Sequence, residues 1–316
     1  MRLILAVLAL IVVTNANPIY SVVDLGPINN WNVVGINASG TVVGTGEDIY
    51  NNLYAFVGNT SNIFATNAMA SGINNSGEIV GTSIVNGQVY ATTWTNGVAQ
   101  IIGPTGSYGT AINNLGQIST NAHGINDSGV TAGTNYISGV ANAYRGSTTL
   151  PNLAGSSYGN GINAGGTVVG SSVSTSGYMH AVIWSTLGIT DLGTLGGNSY
   201  GYGINDSGVA VGYSYLAGGD EHGFVYTSGM MTDLNYLTLT PGWTVAEAYG
   251  INNNGQIAGV GYYNGVQHII ELNPMNTVGC TPVASPEPNT GLLILLGIVA
   301  WMTFRLLKNN LNISKF

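Results

Sequence analysis

The chain has 316 residues with five Lys and Arg against thirteen Asp and Glu, a net charge of −8, and 48 Gly. Between residues 17 and 285 the one basic side chain is Arg145, a balance that repels phosphate backbones and excludes nucleic acid as a partner. The single cysteine, Cys280, excludes an intramolecular disulfide.

The first element is "MRLILAVLALIVVTNA", with Arg2, an apolar run from Leu3 to Val13, and small residues at Thr14 and Ala16. This is the layout of a secretory signal peptide over residues 1–16, cut between Ala16 and Asn17. The chain is therefore expected to be exported.

Residues 17–274 follow as a repeat domain. Seven copies of one segment align on Ile-Asn: "GINASGTVVG" (35–44), "GINNSGEIVG" (72–81), "AINNLGQIST" (111–120), "GINDSGVTAG" (124–133), "GINAGGTVVG" (161–170), "GINDSGVAVG" (203–212) and "GINNNGQIAG" (250–259). The Ile-to-Ile spacings are 37, 39, 13, 37, 42 and 47. Each copy reads as a β-hairpin. The Asn opens the turn by bonding nearby backbone, and the Gly three residues later takes positive φ. The structural turn residues are thus Asn37 and Gly40, Asn74 and Gly77, Asn113 and Gly116, Asn126 and Gly129, Asn163 and Gly166, Asn205 and Gly208, Asn252 and Gly255.

A second element follows each full repeat: "YAFVG" (54–58), "YATTW" (90–94), "NAYRG" (142–146), "HAVIW" (180–184), "HGFVY" (222–226) and "HIIEL" (268–272). A third is clearest at "GITDLG" (188–193) and "MMTDLN" (230–235), and looser at Val98–Gly103 and Leu150–Gly155. The last repeat lacks this third element, while "YSVVDLG" (20–26) near the N-terminus is an orphan of that type. The simplest closure makes this orphan the rim strand of the last blade. The expected fold is an all-β propeller of about six four-stranded repeats, with an additional hairpin at the 13-residue spacing. A seven-bladed ring that counts the hairpin, or a β-solenoid, is the alternative.

The combination of "GINxxGxxVG", "HAV/HGF" and "TDLGTLGG" resembles the HAF family of extracellular repeats over most of residues 20–274. The resemblance implies an exported repeat protein and no particular reaction.

The chemistry-bearing residues fall in repeat columns. His180, His222 and His268 share a column with Tyr54, Tyr90 and Asn142. Equivalent places in a ring are spread around it, so the histidines do not converge on one metal ion. The column reads as a shared hydrogen-bonding place, and His123 has no spaced partner. Asp24, Asp191 and Asp233 form a second column, placed to bond backbone or turn residues within a blade. "NDSG" at 126–129 and 205–208 has too few carboxylates for a calcium loop. Asp220-Glu221 is an isolated calcium candidate set against a solvated loop. Trp243, in the long loop 236–250, is a possible contact for sugar or protein, or packs over the ring closure. No phosphate loop or nucleophile elbow is present, so no cofactor, metal site or catalytic residue is expected.

After a linker at 275–285 comes "PEPNTGLLILLGIVAWMTFRLLK" (286–308), then a short tail at 309–316. Pro286, Glu287 and Pro288 precede an apolar run, roughly 21 Å long as a helix, with Arg305 and Lys308 at its basic end. This resembles the PEP-CTERM sorting signal. The resemblance implies a Gram-negative bacterium that makes exopolysaccharide, an inner-membrane precursor held by a transmembrane helix, and cleavage by an exosortase-type enzyme as partner. The expected localisation is the cell surface or extracellular matrix. The expected role is a non-catalytic binding or structural module that meets neutral exopolysaccharide or surface proteins. The alternative is a glycan-acting enzyme with a propeller active site, which two acids meeting in one axial pocket would favour.

Overall fold

The computed structural model describes residues 18–48 and 50–275, without the side chains of 29–34. The expected signal segment, the linker with Cys280, Pro286 to Pro288, Arg305 and Lys308 lie outside the described residues, as do Ala16 and Asn17. Among the described residues no helix is long and apolar enough to cross a membrane.

The described chain is all-β apart from one 3-10 turn at Leu234–Tyr236. It forms six four-stranded antiparallel sheets and one two-stranded sheet. Blade 1 comprises Asn29–Ile36, Val42–Glu47, Leu53–Val57 and Ile63–Thr66. Blade 2 comprises Ala68–Ile73, Ile79–Val85, Gln88–Thr95 and Val98–Thr105. The short hairpin Ala111–Ile112 and Ile118–Ser119 follows. Blade 3 comprises Gly124–Ile125, Thr131–Ile137, Val140–Arg145 and Thr148–Thr149, and blade 4 Ser157–Ile162, Val168–Val173, Met179–Ser185 and Gly188–Gly193. Blade 5 comprises Gly196–Ile204, Ala210–Leu216, Glu221–Thr227 and Met230–Asp233. Blade 6 comprises Trp243–Ile251, Ile257–Tyr263 and Val266–Met275, completed by Ile19–Pro27 from the other end of the domain. In every blade the strands run from centre to rim in chain order, with that one exception.

The six blades and the closure agree with the sequence. The N-terminal strand pairs antiparallel with Val266–Met275, from Ile19 opposite Met275 to Pro27 opposite His268. On its other side, Tyr20 N donates to Leu237 O at 2.8 Å and Leu239 N donates to Tyr20 O at 3.2 Å. The outer strand of blade 3 is Thr148–Thr149, just before the expected Leu150–Gly155. Pro151 supplies the reason, because it has no N–H for the ladder. Its carbonyl instead accepts the Trp184 indole N–H at 2.6 Å.

Apolar clusters fill the spaces between blades. Val43, Ala55, Ala70 and Ile79 join blades 1 and 2, and Ala132, Ala143, Val168 and Trp184 join blades 3 and 4. Val169, Ile183, Ala210 and Phe224 join blades 4 and 5. Val211, Val225, Val245 and Ile270 join 5 and 6, and Val42, Phe56, Val260 and Ile269 join 6 and 1. Burying each such Val, Ile or Phe contributes about 1.5–3 kcal/mol. The Gly that ends most repeats permits close strand approach. A Cβ on Gly81, Gly170 or Gly212 would come within 1.9 Å of a carbonyl on the neighbouring inner strand.

The two-stranded hairpin takes its own place around the axis, between blades 2 and 3. Each repeat Asn donates its Nδ2 to the backbone carbonyl of the next repeat Asn: Asn37 to Asn74, Asn74 to Asn113, Asn113 to Asn126 and Asn126 to Asn163. Asn163 donates to Asn205, Asn205 to Asn252, and Asn252 returns to Asn37 at 2.9 Å. The circle therefore has seven members around six full blades, with Asn113 of the hairpin as one of them. Each of these buried Asn side chains also accepts N–H groups within its own turn, such as those of Ser39 and Thr41 for Asn37. The Gly three residues on has φ between 74° and 82° in all seven turns. The turn chemistry read from the sequence holds, and the bond from turn to turn explains why Asn stands at every copy.

Candidate functional site: a carboxyl pair among tyrosines

Inner strands carry a recurrent β-bulge just before Gly-Ile-Asn. The ladder register skips Ser71, Asn160, Tyr202 and Tyr249 in blades 2, 4, 5 and 6. Bulges re-aim side chains. Ser71, Asn160 and Tyr202 line a cavity of about 200 Å³ on the axis, together with His123. The bulge side chains also tie neighbours together. Asn160 Nδ2 donates to Gly201 O at 2.8 Å, and His123 Nδ1 lies 2.9 Å from Gly159 O.

In blades 5 and 6 the bulge residues are tyrosines, and they join a larger cluster. Tyr202 meets Tyr249 edge-on at 5.0 Å and stacks on Tyr213 at 5.8 Å. Tyr213 in turn meets Tyr200 at 5.1 Å and Tyr215 at 5.9 Å. Blade 5 supplies four of these rings from its two innermost strands, and blade 6 supplies Tyr249.

Two carboxyl groups meet inside this cluster. Glu221 begins the third strand of blade 5, and Glu247 lies on the inner strand of blade 6, beside a second bulge in that strand. The Glu221 side chain adjoins that of Glu247 and acts on its charge. Burial pushes the Glu247 carboxyl above the usual range; the Tyr249 hydroxyl, which donates to it, acts the other way, and Glu221 raises it further. The phenols are held protonated: burial pushes Tyr249 and Tyr213 far up, and the hydrogen bond to Glu221 is the largest cause that lifts Tyr215 to about 12. The site thus offers a buried carboxyl, Glu247, with a second carboxyl beside it and tyrosine hydroxyls around it. A carboxyl raised in this way keeps its proton to higher pH than an exposed one and can donate it.

The sequence columns resolve differently. His180 pairs with Asp191 at 2.9 Å, His222 with Asp233 at 2.6 Å, and His268 with Asp24 at 2.8 Å. Each pair binds the third strand of a blade to its outer strand. The aspartates also accept turn N–H groups, from Gly193, Asn235 and Gly26. The two columns are therefore one structural device. Trp243 is half-buried against Tyr263 at 5.2 Å and His268 at 5.3 Å, beside the closure. Asp220 and Glu221 do not act together, because Glu221 faces Glu247 and Tyr215. Among the described residues no three His, Cys, Asp or Glu side chains gather to hold a metal.

No family model matches the chain, and no curated protein matches it. Among solved structures it is similar to a gluconolactonase from Xanthomonas campestris, at 12% identity and a TM-score of 0.41, over 82% of this chain and 96% of that one. At that level no residue role is carried across. The expectation that the chain is not an enzyme is corrected at this point: within this chain two acids, Glu221 and Glu247, come together beside a cluster of tyrosines.

Proposed function

We propose that this chain is a glycan-acting hydrolase whose Glu221–Glu247 pair activates water and returns a proton to the leaving oxygen. The observation that carries the reading is the meeting of these two carboxyls at the junction of blades 5 and 6. Paired carboxyls of separated glycosidase type stand about 5–9.5 Å apart. A closer pair works instead as a dyad. The tyrosine hydroxyls around it suit a hydroxyl-rich substrate. Arg145, the one Arg or Lys among the described residues, bonds Gly166 O at 3.0 Å and leaves no cation for an anionic substrate. The substrate class is therefore neutral. Secretion with a cut after Ala16, and sorting by an exosortase-type enzyme at Pro286 to Pro288, belong to the same proposal and place the enzyme beside exopolysaccharide.

The test is hydrolysis of neutral polysaccharides and sugar lactones by the purified protein, followed by reducing-end release and by pH-stat. Glu247→Gln is expected to reduce turnover at least 100-fold, in line with loss of a general acid–base group. Equal turnover by wild type and Glu247→Gln would overturn the reading.

A further inference from the structure

We infer that the groove between blades 4 and 5 is the binding subsite that seats a neutral glycan chain beside the carboxyl pair; the inference rests on the reading of that pair as the reacting centre. The groove has a volume of about 360 Å³ and is walled by Tyr178, Tyr200, Tyr215 and Asn198. Small-ligand pockets span about 300–1,000 Å³, so it has room for sugar rings.

Continuity links the groove to the acids. Tyr215 lines the groove and stands opposite Glu221 on the neighbouring strand. Tyr200 lines it too and packs on Tyr213, which stacks on Tyr202. A chain lying along Tyr178 and Tyr215 would thus run directly to Glu221 and Glu247.

The outer wall is held in place. Tyr178 is 56% exposed, yet the backbone on both sides of its ring is pinned. Its carbonyl accepts from Ser174 N and from Ser174 Oγ, both at 2.9 Å. The next residue, Met179, donates its N–H to Asn198 Oδ1 of blade 5 at 2.8 Å. A large ring presented to solvent on a fixed backbone gives stacking area at little ordering cost. Sugar rings offer a C–H face to such a ring and hydroxyls to its neighbours. A polyanion finds no cation here, since the one described Arg or Lys, Arg145 of blade 3, is engaged with Gly166 O.

The test uses the purified full chain in native gels containing dextran, galactomannan or laminarin, with alginate as the anionic control. Wild type is expected to be retarded by at least one neutral polymer and not by alginate. Tyr178→Ala is expected to bind roughly tenfold more weakly. Tyr178→Trp, which restores a ring, is expected to bind like wild type and shows that the loop is intact. Retardation of Tyr178→Ala equal to wild type would overturn the subsite, as would retardation by alginate alone or by no polymer. Failure of the catalytic reading is separate, because it is read from hydrolysis and not from retardation in the gels.

Discussion

His268 Nδ1 lies 2.8 Å from Asp24 Oδ1, across 244 residues of sequence. This pair joins the two ends of the repeat domain within one blade. It occupies the same place that His180–Asp191 and His222–Asp233 occupy inside blades made from continuous chain. The closure is thus built with the same parts as an ordinary blade.

The weight of the closure rests on Tyr20 more than on the ion pair. Tyr20 is buried among Val245, Ile257 and Leu272, whereas Asp24 is nearly half exposed. Tyr20→Ala is expected to destabilise by about 3–5 kcal/mol, as large core truncations do. Asp24→Ala should cost under about 1 kcal/mol, the range of exposed pairs. Urea melts of both variants check the order. A larger effect from Asp24→Ala would contradict the packing argument.

The same logic ranks the other pairs. Asp233 is 4% exposed and accepts from His222, Asn235 N and Asn235 Nδ2, while Asp191 is 40% exposed. Asp233→Ala strands buried donors and should cost about 2–3 kcal/mol. Asp191→Ala should stay below about 1 kcal/mol. Thermal melts of the two variants under one condition measure the difference, and equal shifts would refute the ranking.

Glu247 makes stability depend on pH. Its folded-state pKa is raised above the unfolded value, chiefly by burial, so the folded chain holds the extra proton between those two values. Stability therefore falls as pH rises through that window, and below the unfolded value, about 4, the penalty is absent. Glu247→Gln cannot ionise. Its melting temperature should exceed that of wild type by a few degrees at neutral pH, and the gap should close on acidification toward pH 4. Parallel melting curves at every pH would show that the carboxyl is not held this way.

Sorting has a direct readout. Replacing Pro286, Glu287 and Pro288 with Ala should trap a full-length, membrane-bound form in the native host. Fractionation, with mass spectrometry of the C-terminus, detects it. Release and trimming like wild type would rule out the signal.

Much of the architecture was legible because the repeats carry their own register. The Ile-Asn turns, the orphan strand at Tyr20 to Gly26 and the extra hairpin each announced themselves by position. The His–Asp pairing was also within reach. A constant separation of 11 residues links His180 to Asp191 and His222 to Asp233. The carboxyl pair was not. Glu221 and Glu247 sit in different blades, belong to no common column, and meet only because the docking of blade 6 on blade 5 turns a third strand towards an inner one. Trp243 drew notice as a large loop aromatic, yet the strand it begins packs it on Tyr263, and the exposed ring beside the carboxyl-pair groove is Tyr178.

The short hairpin has a consequence for how such a chain assembles. Six similar blades could dock with the wrong neighbour at small energetic penalty, since each presents the same turn and the same glycine and most carry the same bulge. A member that contributes Asn113 to the axial circle but has no outer strands fits one gap alone. It breaks the rotational degeneracy much as an index mark fixes the zero of a dial, a role that unequal elements play in otherwise symmetric folds. Position along the chain then becomes angle around the axis without ambiguity, and the one junction that bears Glu221 and Glu247 is always assembled from the same two blades.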